Sequence, residues 1–585
     1  MAKIGDYKIE NFYQGGYSSL DPSQNLSPIP ELISVGDIGM STDARSANIV
    51  KTASQNLSAG ARTIEINQVF PETFDSVPNE QLKEAKRMAD LLGVDITFHA
   101  PVIEPSGMTQ QGFTRSNRIA VENQMKQAVE RAHLLNPNGN IPVTFHSSAA
   151  VPAFMIPKGE KAEETYVVDI ETGTPNKIPI KTRFYPGEKE IDIDKEVKRL
   201  NEDQWKSQLT SLSYAATMGI SHWKEGRAEI ESGKEVSIDL HVGRNYISDS
   251  YRQLKRLYDT AYNAVSKNEN ANPEDKKILN DFYKRVEKES DQIWRNPHSD
   301  ESLLKMTKII EDGLTTFDKL SEPPEILKRI DKFAEDKTTE TFANVAMNTY
   351  NKFTKKGKKA PIICIENPPA GTTAFNTGED LKKIIEESRK KFVDKLAKEG
   401  VSRSEAQKQA EQLIGATWDV GHINMLRKYG YSEKDIIEQT KLIAPFTKHV
   451  HLSDNFGMEH TELPMGMGNV PIKEIMEKLG EKGYKGKKIV EAMHWWQHFS
   501  EQGKMPPFQP TLEAFGSPIY SEGVGPYWNQ IIGLQQGYFG GYGMMLPQNN
   551  YQMWGSGFSM SSLPIELGGQ MPGGQGSRMS GRPME

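Results

Sequence analysis

Residues 62–101 read RTIEINQVFPETFDSVPNEQLKEAKRMADLLGVDITFHAP, and this stretch decides the fold. Its ends, RTIEINQV and VDITFHAP, are short β-rich runs, and between them NEQLKEAKRMADLLG has the apolar spacing of an amphipathic helix. Gly93 follows that helix where a left-handed cap is expected, as Gly60 follows the earlier helical pattern ANIVKTASQNLSAGA. Strand, helix, strand in this rhythm predicts parallel strands joined by crossover helices.

The rhythm extends in both directions. ELISVGDIGM (31–40) precedes the stretch and IPVTFHSS (141–148) follows it; APIICIENPP (360–369), IGATWDVGHINM (414–425), FTKHVHLSDN (446–455) and KKIVEAMHWW (487–496) resume it. Between the two sets lie a hairpin pattern, in which Tyr166, Val168 and Ile170 alternate and are answered by Ile178, Ile180 and Phe184, and charged helical patterns such as YRQLKRLYDTAYNAVSK. Four strands before and four after predict a closed (β/α)8 TIM barrel with a large, mostly helical insertion after strand 4. The expected divisions are an N-terminal extension (1–29), the first half-barrel (30–147), the insertion (148–354), the second half-barrel (355–500) and a Gly/Met-rich tail (501–585).

Composition bounds the function. The 585-residue chain has one cysteine, Cys364, which excludes an intrachain disulfide framework and fits a reducing, cytoplasmic setting. MAKIGDYKIENF has no apolar signal core, and no run approaches the roughly 18 apolar residues of a membrane helix. A net charge of -7 gives no overall attraction to nucleic acid, while leaving room for a local basic surface. Between Glu522 and Glu566 there is no charged residue. That segment reads either as a disordered tail or as an aromatic and Met-rich flap over the barrel mouth or a neighbouring subunit, so a homo-oligomer through insertion or tail stays open.

In a (β/α)8 barrel the active site lies at the C-terminal ends of the strands. Polar residues fall at or just after six of the eight: His99, His146, Glu366, Asp419, His451 and Glu491, with His422 in the loop after Asp419. One strand-end histidine is ordinarily a structural hydrogen bonder. Seven N and O donors converging on one face call for a divalent metal, Zn²⁺ or Mn²⁺/Mg²⁺. His449 should share the strand face of His451, either supporting it or as a buried histidine.

These segments resemble the xylose isomerase-like TIM-barrel superfamily, which includes endonuclease IV and sugar isomerases and epimerases. The similar motifs are FHAP (98–101), FHSS (145–148), IENPPAG (365–371), DVGH (419–422), HLSD (451–454) and VEA (490–492). The resemblance covers about residues 30–146 and 355–500. Endonuclease IV-like enzymes bind three zinc ions through nine ligands, and the resemblance implies the seven residues above among them. The other two normally form Asp-x-His ahead of a Gly-x-Gly; counting back from Gly466 and Gly468, this chain has His460 and Glu462 instead.

Two chemistries follow. In the first reading, one metal held by Glu366, Asp419, His451 and Glu491 stabilises an enediolate of a sugar or sugar phosphate, Glu366 and Glu491 move the proton and His422 orients a hydroxyl. In the alternative, up to three ions bound by His99, His146, Glu366, Asp419, His422, His451, His460, Glu462 and Glu491 activate water against a phosphodiester in abasic-site DNA. Val102 stands where endonuclease IV carries an aromatic probe, which favours the isomerase or epimerase. A non-catalytic, metal-stabilised binding module is the third reading.

Three features stay outside these schemes. His494 and His498 are spaced to meet on a helix, KKGKK (355–359) reads as a solvated turn, and Cys364 is a packed residue on the same strand face as Glu366.

Overall fold

A computed structural model describes residues 38–58, 61–160, 162–180, 193–267, 272–297, 299–480 and 487–492, together with Thr511. The reading of Gly60 as a cap, the hairpin position Phe184, the pair His494/His498, the N-terminal extension and the uncharged tail lie outside the described residues.

Eight parallel strands close a barrel: β1 (Ile38–Ser41), β2 (Thr63–Asn67), β3 (Asp95–His99), β4 (Pro142–His146), β5 (Ile362–Glu366), β6 (Ile414–Asp419), β7 (Thr447–Leu452) and β8 (Lys487–Val490). Each strand pairs with its sequence neighbours, and β1 pairs with β8. No strand edge is left open in this sheet, which removes the usual liability of unpaired backbone groups.

The predicted helix forms over Asn79–Leu92, burying Leu82, Ala85 and Ala89 on one stripe. Gly93 ends it at φ 65°, its N–H donating to Ala89 O and Asp90 O, a conformation costly for a residue with a Cβ. After β5, Thr377 and Asp380 form a reciprocal cap on the helix Gly378–Lys398, which buries Leu381, Ile384, Ile385 and Phe392. Each such side chain contributes about 1.5–3 kcal/mol by leaving water.

Inside the barrel the alternate positions are polar. Glu65, Thr97, Thr144, Thr417 and His449 are completely buried. Thr97 Oγ1 donates to Glu65 Oε2 (3.0 Å), Thr144 and Thr417 hydroxyls meet at 2.9 Å, and His449 Nε2 lies 3.2 Å from Glu65 Oε2. Barrel interiors are ordinarily filled by branched aliphatic residues, so these groups compensate one another's desolvation.

The insertion follows β4. Its compact unit, Ala162–Ile330, has helices Ile193–Glu231, Ile238–Lys267, Pro273–Arg295 and Asp300–Phe317 around a core that includes Trp205, Trp223, Phe282 and Phe317. The hairpin Glu164–Asp169 with Pro175–Pro179 gains a third strand, Leu327–Arg329. Sequence pattern did not reveal that strand, because its partner lies about 160 residues earlier in the chain. Among the described residues no helix is long and apolar enough to cross a membrane.

Candidate active site

Strand register sets the level of the polar side chains. Asn67 lies opposite His99, His146 opposite Glu366, and Asp419 opposite His451. Glu491, the first residue beyond β8, donates its N–H to Leu452 O (3.0 Å) and reaches the same level.

Glu366 is the hub. Its Oε2 lies 3.2 Å from both His99 Nε2 and His146 Nε2, and its Oε1 lies 2.6 Å from His451 Nδ1. Glu491 Oε2 stands 3.4 Å from that same Nδ1. Donor atoms of Glu366, Asp419, His451 and Glu491 all fall within 4.8 Å of one another; those of His99, Glu366 and His451 form a second such set sharing two members.

Asn367 and Ser453 hold Asp419 in place. The Asn367 amide donates to Asp419 O (3.0 Å) and accepts from Asp419 N (3.0 Å), while Ser453 Oγ donates to Asp419 Oδ1 (3.1 Å). Asp419 also caps the short helix Val420–Asn424 by accepting from His422 N at 2.7 Å. His422 Nδ1 lies 2.7 Å from Asn367 O, so it must carry the proton, and its Nε2 then accepts from His460 Nε2 at 2.8 Å.

The loop carrying His460 and Glu462 is organised by Asp454. This buried carboxylate accepts from Asn455 N (2.9 Å), Gly466 N (2.9 Å) and Val470 N (3.0 Å). A Cβ at Gly468 would sit 2.3 Å from Asp454 Oδ1, which explains the second glycine of the Gly-x-Gly. Glu462 is held at φ 31°, a region costly for a residue with a side chain, and its Oε1 lies 3.6 Å from His460 Nε2.

The electrostatics show a surplus of negative charge. Burial would lower His99, but Glu366, Glu491 and Glu65 raise it to about 9. Burial likewise opposes charging His451, yet Glu491, Glu366 and Glu65 hold it well above its ordinary value. Desolvation, with Glu491 and Glu366 adding repulsion, pushes Asp419 well above the carboxylate range. Desolvation opposes the charge of Glu366 too, but His451 and His146 hold it well below that range. Burial lowers His422 strongly and takes His460 to about 4.

Among the described residues, the ion pairs of Glu366, Asp419, Glu491 and Glu65 all run to histidine and none to lysine or arginine. Three carboxylates and an imidazole with no fixed cation between them form a donor set suited to Mn²⁺, Mg²⁺ or Zn²⁺.

All nine sequence-predicted residues therefore belong to one connected cluster, but not equally. His146 touches Glu366 without joining a convergent set, and His422, His460 and Glu462 do not form a third set among the described residues. Sequence reasoning missed Glu65. A glutamate between Ile64 and Ile66 in a barrel strand is buried on either face, and that was the available signal.

Residues 334–504 match the family model described as xylose isomerase-like TIM barrel. The chain carries a closed eight-stranded TIM barrel whose second half is similar to that family. The match spans the second half of that barrel, including Glu366, Asp419, His422, His451, His460, Glu462 and Glu491. An uncharacterized protein of Methanocaldococcus jannaschii is 36% identical over 73 residues, 12% of this chain and 24% of that one. Two solved structures are similar: a D-tagatose 3-epimerase-like protein (13% identity, TM-score 0.31, 78% of this chain and 91% of that one) and a D-psicose 3-epimerase from Clostridium cellulolyticum H10 (9% identity, TM-score 0.36, 82% and 95%).

Proposed function

We propose that this xylose isomerase-like barrel is a divalent-metal-dependent isomerase or epimerase of a sugar or sugar phosphate. The observation carrying this reading is that Glu366, Asp419, His451 and Glu491 offer donor atoms all within 4.8 Å of one another. A divalent ion there would polarise a carbonyl and an adjacent hydroxyl of the substrate.

Glu366 and Glu491 both approach His451 Nδ1, at 2.6 and 3.4 Å, and supply the proton transfers. One removes the proton beside the carbonyl and the other returns it, through an enediolate. Glu366, held ionised among histidines, suits the role of base. His422 has its Nδ1 committed to Asn367 O, so its orientation is fixed and it can align a substrate hydroxyl together with His460. Elemental analysis of protein purified without added metal tests this: one exchangeable divalent ion per chain is expected, and its loss in Glu366→Gln.

A second reading, an endonuclease IV-like phosphodiesterase on abasic-site DNA, is favoured by the second donor set, His99, Glu366 and His451. Val102 argues against it, since a wedge into DNA needs a large ring or long side chain. Nearly three zinc ions per chain together with cleavage of abasic-site duplex would establish this second reading.

A further inference from the structure

We propose that Glu65 is a positioning residue for His451, selecting which ring nitrogen faces the donor set. The inference rests on the metal-centre reading above.

His451 has two different environments on its two nitrogens. Nδ1 faces Glu366 Oε1 at 2.6 Å and Glu491 Oε2 at 3.4 Å, whereas Nε2 faces the Glu65 carboxylate, 3.3 Å from Oε1 and 3.4 Å from Oε2. Glu65 comes from β2, several strands round the barrel from β7, so it reaches His451 across the interior. Thr97 Oγ1 donates to it at 3.0 Å and His449 Nε2 lies 3.2 Å away, so it is anchored independently of His451.

A carboxylate facing Nε2 requires a proton on that nitrogen. Glu366 sets the same demand on Nδ1 while no ion is bound; an ion in the donor set would take the place of the Nδ1 proton, and the Glu65 contact would keep Nε2 as the protonated nitrogen. Carboxylates set behind metal-binding histidines in this manner fix the tautomer and ring orientation and raise the basicity of the ligand. A fully buried carboxylate below the site is otherwise an expensive core residue, where a branched aliphatic would be the ordinary choice. His449, which the proposed reaction leaves without a role, gains one here by holding the far side of Glu65.

The test compares full-length wild type, Glu65→Gln and Thr97→Val. Mn²⁺ affinity is read from the free-ion EPR signal, and the visible absorption of the Co²⁺ form reports the ligand field. Glu65→Gln keeps the side-chain volume but presents an amide that can donate to Nε2, and Mn²⁺ binding should weaken about 10- to 100-fold with a shifted Co²⁺ band. Thr97→Val removes one anchor of Glu65 and should give a smaller loss in the same direction, which decides the matter if Glu65→Gln does not fold. Wild-type affinity and an unchanged Co²⁺ band in the folded variants overturn the proposal. A wild type that binds neither ion overturns it together with the metal centre. If every ketose assay is silent while the affinity loss persists, the proposed reaction falls and the role of Glu65 is upheld.

Discussion

The Nε2 atoms of His422 and His460 stand 2.8 Å apart, a direct hydrogen bond between two imidazoles. Burial lowers both rings, His460 to about 4, so at neutral pH the pair is uncharged and shares one proton between the two nitrogens. Both rings are among the nine ligands of the nuclease-type reading, and here they bond to each other. His460→Ala should therefore leave the affinity of the tightest metal within about twofold while raising KM more than it lowers kcat. Mn²⁺ titration and steady-state kinetics of the variant check both halves of this expectation.

Desolvation, with Glu491 and Glu366 adding repulsion, pushes Asp419 well above the carboxylate range, a penalty that a bound cation would relieve. Metal binding should consequently stabilise the barrel against denaturant. At a free concentration about a thousandfold above Kd the gain is about 4 kcal/mol. Urea titrations with and without Mn²⁺ measure it, and Asp419→Asn should abolish most of the difference.

Glu104 is a buried carboxylate whose Oε2 accepts from Ser148 Oγ (2.8 Å) and from the N–H groups of Ala149 (2.8 Å), Ala150 (2.8 Å) and Val151 (3.2 Å). It ties the loop after β3 to the loop that carries the chain away from His146. An amide replaces this charge-assisted set poorly, so Glu104→Gln should cost about 2–4 kcal/mol in chemical denaturation.

Lys158 Nζ lies 2.8 and 2.6 Å from the two carboxylate oxygens of Asp435, which also caps its own helix through Ser432 N at 2.6 Å. The Lys158 bond, aided by Ser432, lowers Asp435 to about 2. A carboxylate depressed in the folded state contributes stability that is present above its unfolded value, near 4, and lost as pH falls through 2. The gap in melting temperature between wild type and Asp435→Asn should be constant above pH 5 and close between pH 4 and pH 2.

Cys364 is fully buried in β5, and desolvation pushes its thiol up to about 12. A thiol reagent at pH 8 should leave the folded protein untouched and modify one thiol per chain once it is unfolded.

The barrel was legible because eight short strands alternate with helical patterns, and because strand ends carry histidines and carboxylates that a solvated loop does not require. Register then did what spacing could not show, bringing His146 opposite Glu366 and Asp419 opposite His451. The pairing of Glu65 with His451 was hidden, since they are 386 positions apart and a glutamate between two isoleucines signals its burial but not its partner. The conformation of the Glu462 loop was hidden for a different reason: it follows from three backbone groups closing on Asp454, a long-range contact rather than a pattern of residue types.

The proposed reaction requires Glu366, Asp419, His451 and Glu491 to hold one divalent ion for proton transfer on a sugar. The most direct measurement is proton NMR of Mn²⁺-activated, then metal-stripped and Mg²⁺-reloaded, protein incubated with a panel of ketoses and ketose phosphates in D₂O. One substrate should exchange a single carbon-bound proton for solvent deuterium while its isomer or epimer accumulates, and Glu366→Gln should show neither change. Protein that carries three zinc ions, cleaves abasic-site DNA and leaves every sugar proton in place would contradict it.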